Sequence, residues 1–435
     1  MINRLKYSKY VITVSYGDYT SGTGGTDKFI LSQQRLLNEH KISMLYIYPK
    51  PDILGKRIHS DKMWGVLMDG KYYAMTNTVK ILELINKLQG KGLVLSGVII
   101  HHLNNASLNE MYKILKATDA RIYMYLHDFY TICPSSGLLR DYHDFCGVSF
   151  PNKQKCLGCT CLSETTIKRA RQIAEFIKKI SNRTLFIFPS QSALENWREA
   201  YPEKSFHTTV ILHQILSGEY KANMSPVSDS EPLRIAYVGY QAPHKGWAEW
   251  KEAVKRSHEA GCNYLYYQMG SCNEKIDFVQ KCDIDFKKDI NAMITALREN
   301  KIDCAVLWSL WPETYSFTFY ESYSANCYIL TNQLSGNIAA MVKQKGNGTA
   351  AENKNDLSAL LLDESGLREK INSFRKKKEY GPDRLIENDA IVKLLRSDKK
   401  RYSVFPAHRS YSDYMSGCLL KVYSVYTYFR RKHLK

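Results

Sequence analysis

At 435 residues the chain is too long for one ordinary hydrophobic core and suits two domains, and its 44% hydrophobic content is normal for a globular protein. No run of about 18 or more apolar residues is present, and the apolar run near the N-terminus is short and lacks a small-residue cleavage site, so we expect a cytoplasmic protein without a membrane-spanning helix. The net charge of +18 at pH 7 would suit a phosphorylated small molecule, an anionic membrane surface or nucleic acid as partner. A basic surface exposed to water is the alternative.

Strand-like apolar runs alternate with helical patterns over the first half of the chain. Helical periodicity covers, for example, residues 26–40 and 107–118. Near-continuous apolar strands are buried on both faces, so this alternation predicts a parallel sheet with helices on both sides. The predicted strands are 10–16, 42–48, 97–102, 121–127, 185–190 and 208–213.

A glycine-rich loop, GDYTSGTGGTDKF (17–29), leads from the first predicted strand into the first predicted helix. Gly22, Gly24 and Gly25 would let the backbone approach a ligand closely, and the helix after them offers free amides at its positive dipole end. The loop matches neither the dinucleotide-binding nor the phosphate-binding glycine motif. A simple tight turn is therefore an equal alternative.

Five of the eleven cysteines are close together in the sequence, between Cys133 and Cys161. Four of them could hold a structural zinc ion: Cys133, Cys146, Cys156 and Cys159. The gaps of 12 and 9 residues are irregular for such a site, and only one close pair is present. Reduced thiols in a long loop are the favoured alternative, because a chain without a secretory signal rarely forms disulfides.

The segment IKRARQIAEFIKKI (167–180) has a basic helical pattern. One interpretation is a helix that packs on the core and exposes a basic face to water, and the other is a helix that contacts anionic lipid. Its apolar positions at helical spacing are Ile167, Ala170, Ile173, Ala174, Ile177 and Ile180.

The composition changes at segment 217–232, which has no apolar period and is rich in Ser, Pro and Glu. This composition predicts a linker. A second alternating series follows it, with strands predicted at 233–239, 263–270, 302–308 and 327–331. We therefore predict an α/β fold with two doubly wound, Rossmann-like domains. The carboxyl ends of their strands, where ligands bind in such sheets, would face each other across a cleft.

A second loop of interest is VGYQAPHKGWAEW (238–250), which again joins a predicted strand to a helix. Lys245 lies near the start of that helix, where the helix dipole disfavours a cation. An anion bound between the two would explain the position. A solvated surface lysine is the alternative.

A third loop lies within WPETYSFTFYESYSANCYIL (311–330), which holds two glutamates, Glu313 and Glu321, with seven residues between them, flanked by predicted buried strands. Pro312 disfavours helical geometry at the residue before it, so the helix begins later, with Ser316 as its N-cap. We expect Glu313 to be exposed in the cleft, in the loop before the helix, and Glu321 to lie on the second helical turn.

The start of this helix predicts a phosphate site, because its first amides have no partner within the helix. Those amides belong to Phe317, Thr318 and Phe319. Glu313 and Glu321 would flank the phosphate and accept hydrogen bonds from hydroxyl groups. A diphosphate with hydroxyls on both sides describes a nucleotide sugar.

This segment resembles the E-x7-E motif of the retaining nucleotide-sugar glycosyltransferases of the GT-B fold, in the large family numbered four. The glycine-rich turn 22–25, the HDF at 127–129 and the VGxxxPHKG pattern at 238–246 follow the family's order. The resemblance therefore covers nearly the whole chain.

The resemblance implies a role for each matching residue. Glu313 would hold hydroxyls of the donor sugar, Glu321 the ribose and Lys245 the diphosphate, while His127 would reach the sugar from the N-terminal domain. We accordingly predict His127, Lys245 and Glu313 as catalytic residues. The predicted donor-binding residues are Gly24, Gly25, His244, Ser316, Phe317, Thr318 and Glu321.

It also implies how the chain is divided. Residues 1–216 would bind the acceptor, 217–232 link the domains, 233–404 bind the nucleotide sugar, and a helix over about 405–435 pack back on the first domain. The implied activity transfers a hexosyl or other glycosyl group to a saccharide or lipid-linked acceptor, without a required metal or other cofactor. The segment HDFYTICPSSGLL, followed by the cysteines, resembles members that act in bacterial surface-polysaccharide synthesis.

One position departs from the family's pattern. Many members have an arginine after the glycine that ends the strand, and here that residue is Tyr240. Neutralising the diphosphate would then depend on Lys245 and the helix amides, with help from His244. Two alternatives stay open, a sugar-nucleotide-binding paralogue without activity and a nucleotide-sugar epimerase of the same fold.

The last segment, 411–435, combines an apolar helical side with a basic RRKHLK end, and residues 399–435 hold nine Lys or Arg and one acid. We expect this helix to dock on the first domain, and its basic end would suit an anionic membrane surface. A basic nucleic-acid-binding protein is a further alternative. We expect no such partner, since the basic residues gather in one helix and the tail instead of lining a recognition module.

Overall fold

The computed structural model describes residues 5–405 apart from 23, 51–62, 142, 153, 204, 219, 222–224, 286–288, 378–379, 382–383, 399 and 401. The predicted C-terminal helix and its basic end therefore lie outside the described residues, except for residue 405. Within the described ranges, no helix combines the length and the apolar character needed to cross a bilayer.

The first domain is built on a mainly parallel sheet. Its strands are β1 (Lys9–Val14), β2 (Ile42–Pro49), β3 (Met63–Met68), β4 (Lys71–Asn77), β5 (Val94–Ile100), β6 (Ile122–Tyr125), β9 (Thr184–Phe188) and β10 (His207–Val210), while β7 (Leu139–Arg140) and β8 (Asp144–Phe145) form a separate ribbon. The strand order is β10-β9-β6-β5-β1-β2-β3-β4. All six strands predicted for this half are confirmed. The antiparallel β3–β4 hairpin at the sheet edge was not predicted.

Helices cover both faces of this sheet, as the alternation predicts. They are α1 (Gly25–Glu39), α2 (Thr78–Gly90), α3 (Leu108–Lys116), α4 (Glu164–Ile180) and α5 (Gln191–Ala200). In α4 the side chains of Ile173, Phe176, Ile177 and Ile180 are buried in the core, and Lys178 and Lys179 are exposed. Core packing of this basic helix is thus confirmed.

The second domain has an all-parallel sheet in its described part. Its strands are β13 (Leu233–Val238), β14 (Tyr264–Met269), β15 (Val279–Cys282), β16 (Cys304–Val306), β17 (Tyr328–Asn332) and β18 (Gly348–Ala351), in the order β15-β14-β13-β16-β17-β18. Its helices are α6 (Trp247–Glu259), α7 (Ala292–Glu299), α8 (Phe317–Ser324), α9 (Asn337–Lys345), α10 (Leu357–Leu362) and α11 (Glu364–Lys377). The four strands predicted here are confirmed.

The chain crosses between the domains twice, and the two crossings pair with each other. On the way out, β11 (Gln214–Ser217) and β12 (Tyr220–Lys221) run antiparallel to β20 (Arg384–Glu387) and β19 (Tyr380–Gly381) on the way back. Part of the predicted linker is therefore paired strand.

The returning chain forms α12 (Ala390–Ser397), which packs on the first domain. Ile391, Val392 and Leu395 are buried with Val11 and Tyr123 of that domain's core. Residues 390–397, which the sequence analysis assigned to the second domain, thus belong to the first, because the apolar side of α12 covers its sheet.

Candidate active site

A cavity of about 780 Å³ lies between the two domains, at the carboxyl ends of both sheets. Loops that follow β1, β6 and β10 form one wall, and loops that follow β13, β14 and β16 form the other. This is where open α/β sheets bind ligands. All predicted catalytic and donor-binding residues line it: Gly24, Gly25, His127, His244, Lys245, Glu313, Ser316, Phe317, Thr318 and Glu321.

Glu313 is held rigidly in the wall of this cavity. Its carboxylate accepts hydrogen bonds from the Lys245 ammonium and, at 2.9 Å, from the Ser309 hydroxyl. Its carbonyl oxygen accepts the amide N–H of Asn337 at 2.9 Å, at the start of α9. Only glycine fits at position 336, which has a φ of +57° and where a Cβ would overlap the backbone of Pro312.

Glu313 is only 4% exposed, whereas the sequence predicts an acid exposed in the cleft. The difference arises because the Lys245 ammonium compensates the charge, which a buried carboxylate requires. The carboxylate is therefore fixed in place and still borders the cavity.

Lys245 ends a short 3-10 turn, Pro243–Lys245, that precedes α6. The next residue, Gly246, has a φ of +74°, and a Cβ there would overlap the carbonyl oxygen of Trp308 after β16. This close approach brings the lysine beside Glu313. Burial lowers the pKa of Lys245, but the charges of Glu313 and Tyr240 together with the hydrogen bond to Glu313 outweigh burial and leave the pKa raised, so the side chain is an ammonium at neutral pH.

Tyr240, the second residue after β13, lies beside His244. The Tyr240 hydroxyl is 3.0 Å from Nε2 of His244, and half of the tyrosine is exposed. Burial, followed by the charge of Lys245, lowers the pKa of His244 to about 4. His244 is therefore neutral at pH 7 and offers a ligand a hydrogen bond instead of a positive charge.

The start of α8 is as predicted, with one correction. The helix begins at Phe317, and the Ser316 hydroxyl caps it by accepting the Phe319 amide at 3.2 Å. The prediction that Phe319 offers a free amide is therefore wrong, since the cap itself uses that donor. The amides of Phe317 and Thr318 remain at the open end of the helix, beside the cavity.

Glu321 contacts a residue that the sequence analysis missed. Nζ of Lys28, on α1 of the first domain, lies 2.7 Å from Oε1 of Glu321, and their side chains are 12% and 6% exposed. The available signal was the position of Lys28 three residues after Gly25, the last glycine of the glycine-rich loop. The two predicted acids thus each pair with a lysine, Glu313 within its own domain and Glu321 across the cavity.

His127 belongs to a row of three histidines. Its Nε2 is 3.0 Å from Nδ1 of His101, and its Nδ1 is 3.3 Å from Nε2 of His213. His101 Nε2 lies 3.0 Å from Oε1 of Gln33. With that oxygen as the acceptor, each ring is neutral and donates from Nε2 to the next member of the row.

Both ring nitrogens of His127 are therefore engaged within the first domain, although its ring lines the cavity. His127 was predicted from the sequence, whereas His101 and His213, which lie at or next to the last residue of two predicted strands, were not. Adjacent parallel strands bring their carboxyl-terminal residues together, and this rule was the available signal. The predicted contact between His127 and the donor sugar stays a prediction.

Asp128, beside His127, also lines the cavity. Its Oδ2 accepts a hydrogen bond from Nε2 of His102 at 2.9 Å, and Nδ1 of His102 in turn accepts the amide of Asn104 at 2.9 Å. His102 thus fixes the Asp128 carboxylate on the first-domain side of the cavity, facing the residues predicted to bind the donor sugar nucleotide.

The histidine row predicts that the protein loses stability in mild acid. Burial, and to a smaller extent the charge of His101, lowers the pKa of His213 to about 3. Burial, and to a smaller extent the charges of neighbouring histidines, lowers the pKa of His101 and His127 well below the usual value. Histidines in the unfolded chain bind protons below about pH 6.5, whereas these buried ones do not. The free energy of unfolding is therefore unaffected by them above that pH and decreases as the pH falls below it. Each buried histidine should cost roughly 1 kcal/mol by pH 5.5.

We expect the melting temperature to decrease between pH 7 and pH 5.5, and the decrease to be smaller in His213→Asn. Replacing His207, an exposed histidine on β10, serves as the control and should leave the decrease unchanged. A melting temperature that is constant over this range, or an equal decrease in His213→Asn, would contradict the interpretation.

The cysteine-rich segment supplies no arrangement of metal ligands in the described residues. The side chains of Cys133, Cys156 and Cys161 are buried, and those of Cys146 and Cys159 are half-buried. No group of three or more His, Cys, Asp or Glu in the described ranges could hold a metal ion. The structural zinc site stays a prediction without support from this geometry.

No protein-family model matches the sequence, and no curated protein sequence matches it significantly. Among solved structures, sucrose-phosphate synthase from Thermosynechococcus elongatus is similar, with a TM-score of 0.51, 12% identity, and coverage of 89% of this chain and 97% of that chain. The chain has the GT-B fold. Its two Rossmann-like domains face each other across the cavity described above, which confirms the predicted fold class.

Two further solved structures are similar at lower scores. HepE from Anabaena, in complex with UDP-glucose, has a TM-score of 0.47 and 11% identity, covering 89% of this chain and 98% of that chain. The pneumococcal O-GlcNAc transferase GtfA, in complex with UDP and GlcNAc, has a TM-score of 0.49 and 9% identity, covering 85% and 96%.

Proposed function

We propose that this protein is a retaining, metal-independent glycosyltransferase of family 4 that uses a nucleotide-sugar donor. One observation carries the proposal. Glu313 precedes and Glu321 follows the open N-terminus of α8 along the chain, and Lys245 pairs with Glu313, in a cavity between two domains. Carboxylates suit hydroxyl groups, and the amides and the ammonium suit a diphosphate.

The reaction breaks the bond between the anomeric carbon and the diphosphate oxygen and forms a bond to an acceptor hydroxyl. Negative charge develops on the diphosphate, so groups fixed around it are expected to supply the main catalytic term. Lys245 and the amides of Phe317 and Thr318 are those groups. With retention, the acceptor attacks from the face that the diphosphate leaves, and its proton passes to a diphosphate oxygen.

Glu313 contributes in two ways in this scheme. Its carboxylate keeps Lys245 charged and in place, and it accepts hydrogen bonds from donor-sugar hydroxyls at the cavity surface. The first domain would hold the acceptor across the cavity, with Asp128 on its wall. Bringing the two substrates together supplies the proximity term.

We infer that the acceptor is a saccharide or a lipid-linked saccharide in bacterial surface-polysaccharide synthesis. The support is the segment HDFYTICPSSGLL, which resembles enzymes of that process, and the basic C-terminal sequence, which suits work beside an anionic membrane on its cytoplasmic face.

The test of the activity is incubation with a panel of labelled sugar nucleotides that differ in base and sugar, with and without a mixture of saccharide and lipid-linked acceptors. Release of nucleoside diphosphate that depends on acceptor, together with a labelled product, is the expected result. Release of isomerised free sugar would show an epimerase. Binding of a sugar nucleotide without any turnover would show a paralogue that lacks activity.

The membrane association has its own test. Each cation near an anionic surface contributes roughly 1 kcal/mol, so the RRKHLK end is expected to give reversible binding. The protein should sediment with anionic vesicles and not with neutral ones, and less so in high salt or after Arg430, Arg431 and Lys432 are replaced by Ser. Equal recovery in the supernatant with both lipids would reject this role.

A further inference from the structure

The cavity has a second cation that comes from the first domain. Among the described residues that line it, Lys28 and Lys245 are the ones with Lys or Arg side chains. His244 does not add a charge at pH 7, because burial and Lys245 lower its pKa to about 4. A donor diphosphate brings about two negative charges, and Lys245 balances only one of them.

Lys28 lies where a second phosphate contact is needed. Its Nζ is 4.9 Å from the ring centroid of Phe317, the first residue of α8. The glycine-rich loop packs at the same place, since a Cβ on Gly25 would lie 3.6 Å from that ring. The Lys28 ammonium is thus adjacent to the open helix end at which the phosphate is proposed to bind.

We propose that Lys28, on the first domain, is a diphosphate ligand of the donor. The inference rests on the proposed function, because it assigns a ligand to the same cavity. In the present arrangement Lys28 pairs with Glu321, and the flexible lysine stem lets its ammonium move to a nearby phosphate.

The charges in the cavity support this exchange. Each of the two acids now pairs with one lysine, Glu313 with Lys245 and Glu321 with Lys28. When sugar and ribose hydroxyls donate to the two carboxylates, the two ammoniums are available to a diphosphate of matching charge. Lys28 then supplies the cation that Tyr240, in place of the usual arginine, does not.

This exchange would also give the first domain a direct contact with the donor diphosphate. A hydrogen bond from the Thr314 hydroxyl to the carbonyl oxygen of His127 also joins the two sides of the cavity. A donor bound to both Lys245 and Lys28 would bridge the two domains.

The test measures how much the diphosphate adds to binding. Wild type, Lys28→Met and Lys28→Arg are titrated by calorimetry with the diphosphates of uridine, guanosine, adenosine, cytidine and thymidine, and with the matching nucleosides by competition. Lys28→Met should weaken binding of the preferred diphosphate roughly 10- to 100-fold, as expected for a hydrogen bond to a charged group, and leave nucleoside binding within about threefold. Lys28→Arg should retain most of the diphosphate contribution.

The control is Lys80→Met, which removes an exposed lysine that pairs with Glu83 at 2.7 Å on α2 of the same domain. It should change neither affinity. Lys28→Gln keeps a donor towards Glu321 without the charge, and it replaces Lys28→Met if the latter does not fold.

The outcomes separate this inference from the proposed function. If the preferred diphosphate binds Lys28→Met as it binds wild type, or if nucleoside and diphosphate weaken equally, Lys28 serves only to orient Glu321 and the inference is overturned. If wild type binds none of the diphosphates, the proposed function is overturned together with it.

Discussion

Replacement of Glu313 by glutamine is expected to reduce glycosyl transfer at least 100-fold and to leave the fold intact. The carboxylate is 4% exposed and accepts from both Lys245 and Ser309, so its loss removes a fixed charge at the reacting sugar. Losing one such group typically costs about 100-fold or more in turnover. Glutamine has the shape of glutamate, so it fills the same space without the charge.

Glu313→Ala should be equally inactive and less stable. It would leave the Lys245 ammonium and the Ser309 hydroxyl without their partner in a buried wall, which costs on the order of 1–3 kcal/mol. Comparing the two variants therefore separates the catalytic effect from the structural one.

The measurement is the initial rate at saturating acceptor, together with the melting temperature. Glu274→Gln is the matched control, since Glu274 also pairs with a lysine of this domain, Lys251 at 2.8 Å, but on the exposed surface. It should retain full activity. Activity of Glu313→Gln within about threefold of wild type, roughly 0.7 kcal/mol of transition-state binding, would refute the assignment.

The strands and the positions of the loops could be predicted because their signals are local. Apolar runs such as 302–308 and the Pro312–Ser316 spacing depend only on burial, backbone sterics and capping, and both are confirmed. The antiparallel β3–β4 hairpin was missed, although its apolar first strand, Met63–Met68, is fully buried.

The pairs across the cavity could not be predicted, because they depend on how the two domains meet. Lys28 and Glu321 are 293 residues apart in the sequence and 2.7 Å apart in space. The row from His101 through His127 to His213 likewise requires the strand order of the sheet. Burial of Glu313 follows from its pairing with Lys245, which the E-x7-E spacing alone does not show.

Lys245→Ala is expected to lower the turnover number by about 100-fold or more relative to wild type. Glu321→Ala is expected to lower it less. Glu321 contacts the ribose in the proposed complex, away from the bond that breaks. Lys245 would contact the diphosphate, which gains charge as that bond breaks, so its contribution is larger in the transition state than in the bound donor.

The measurement is the turnover number at saturating donor and acceptor. Lys251→Ala on α6 is the control, because Lys251 is an exposed lysine of the same domain with its own acidic partner, Glu274. That control should match wild type. Equal and mild effects of Lys245→Ala and Glu321→Ala would mean that another cation carries the leaving diphosphate. Lys28 is then the candidate, since it is the other lysine of the described cavity wall. In that case Lys28→Met should reduce the turnover number by the 100-fold expected here for Lys245, and the positive charge that drives departure of the diphosphate would come from the first domain.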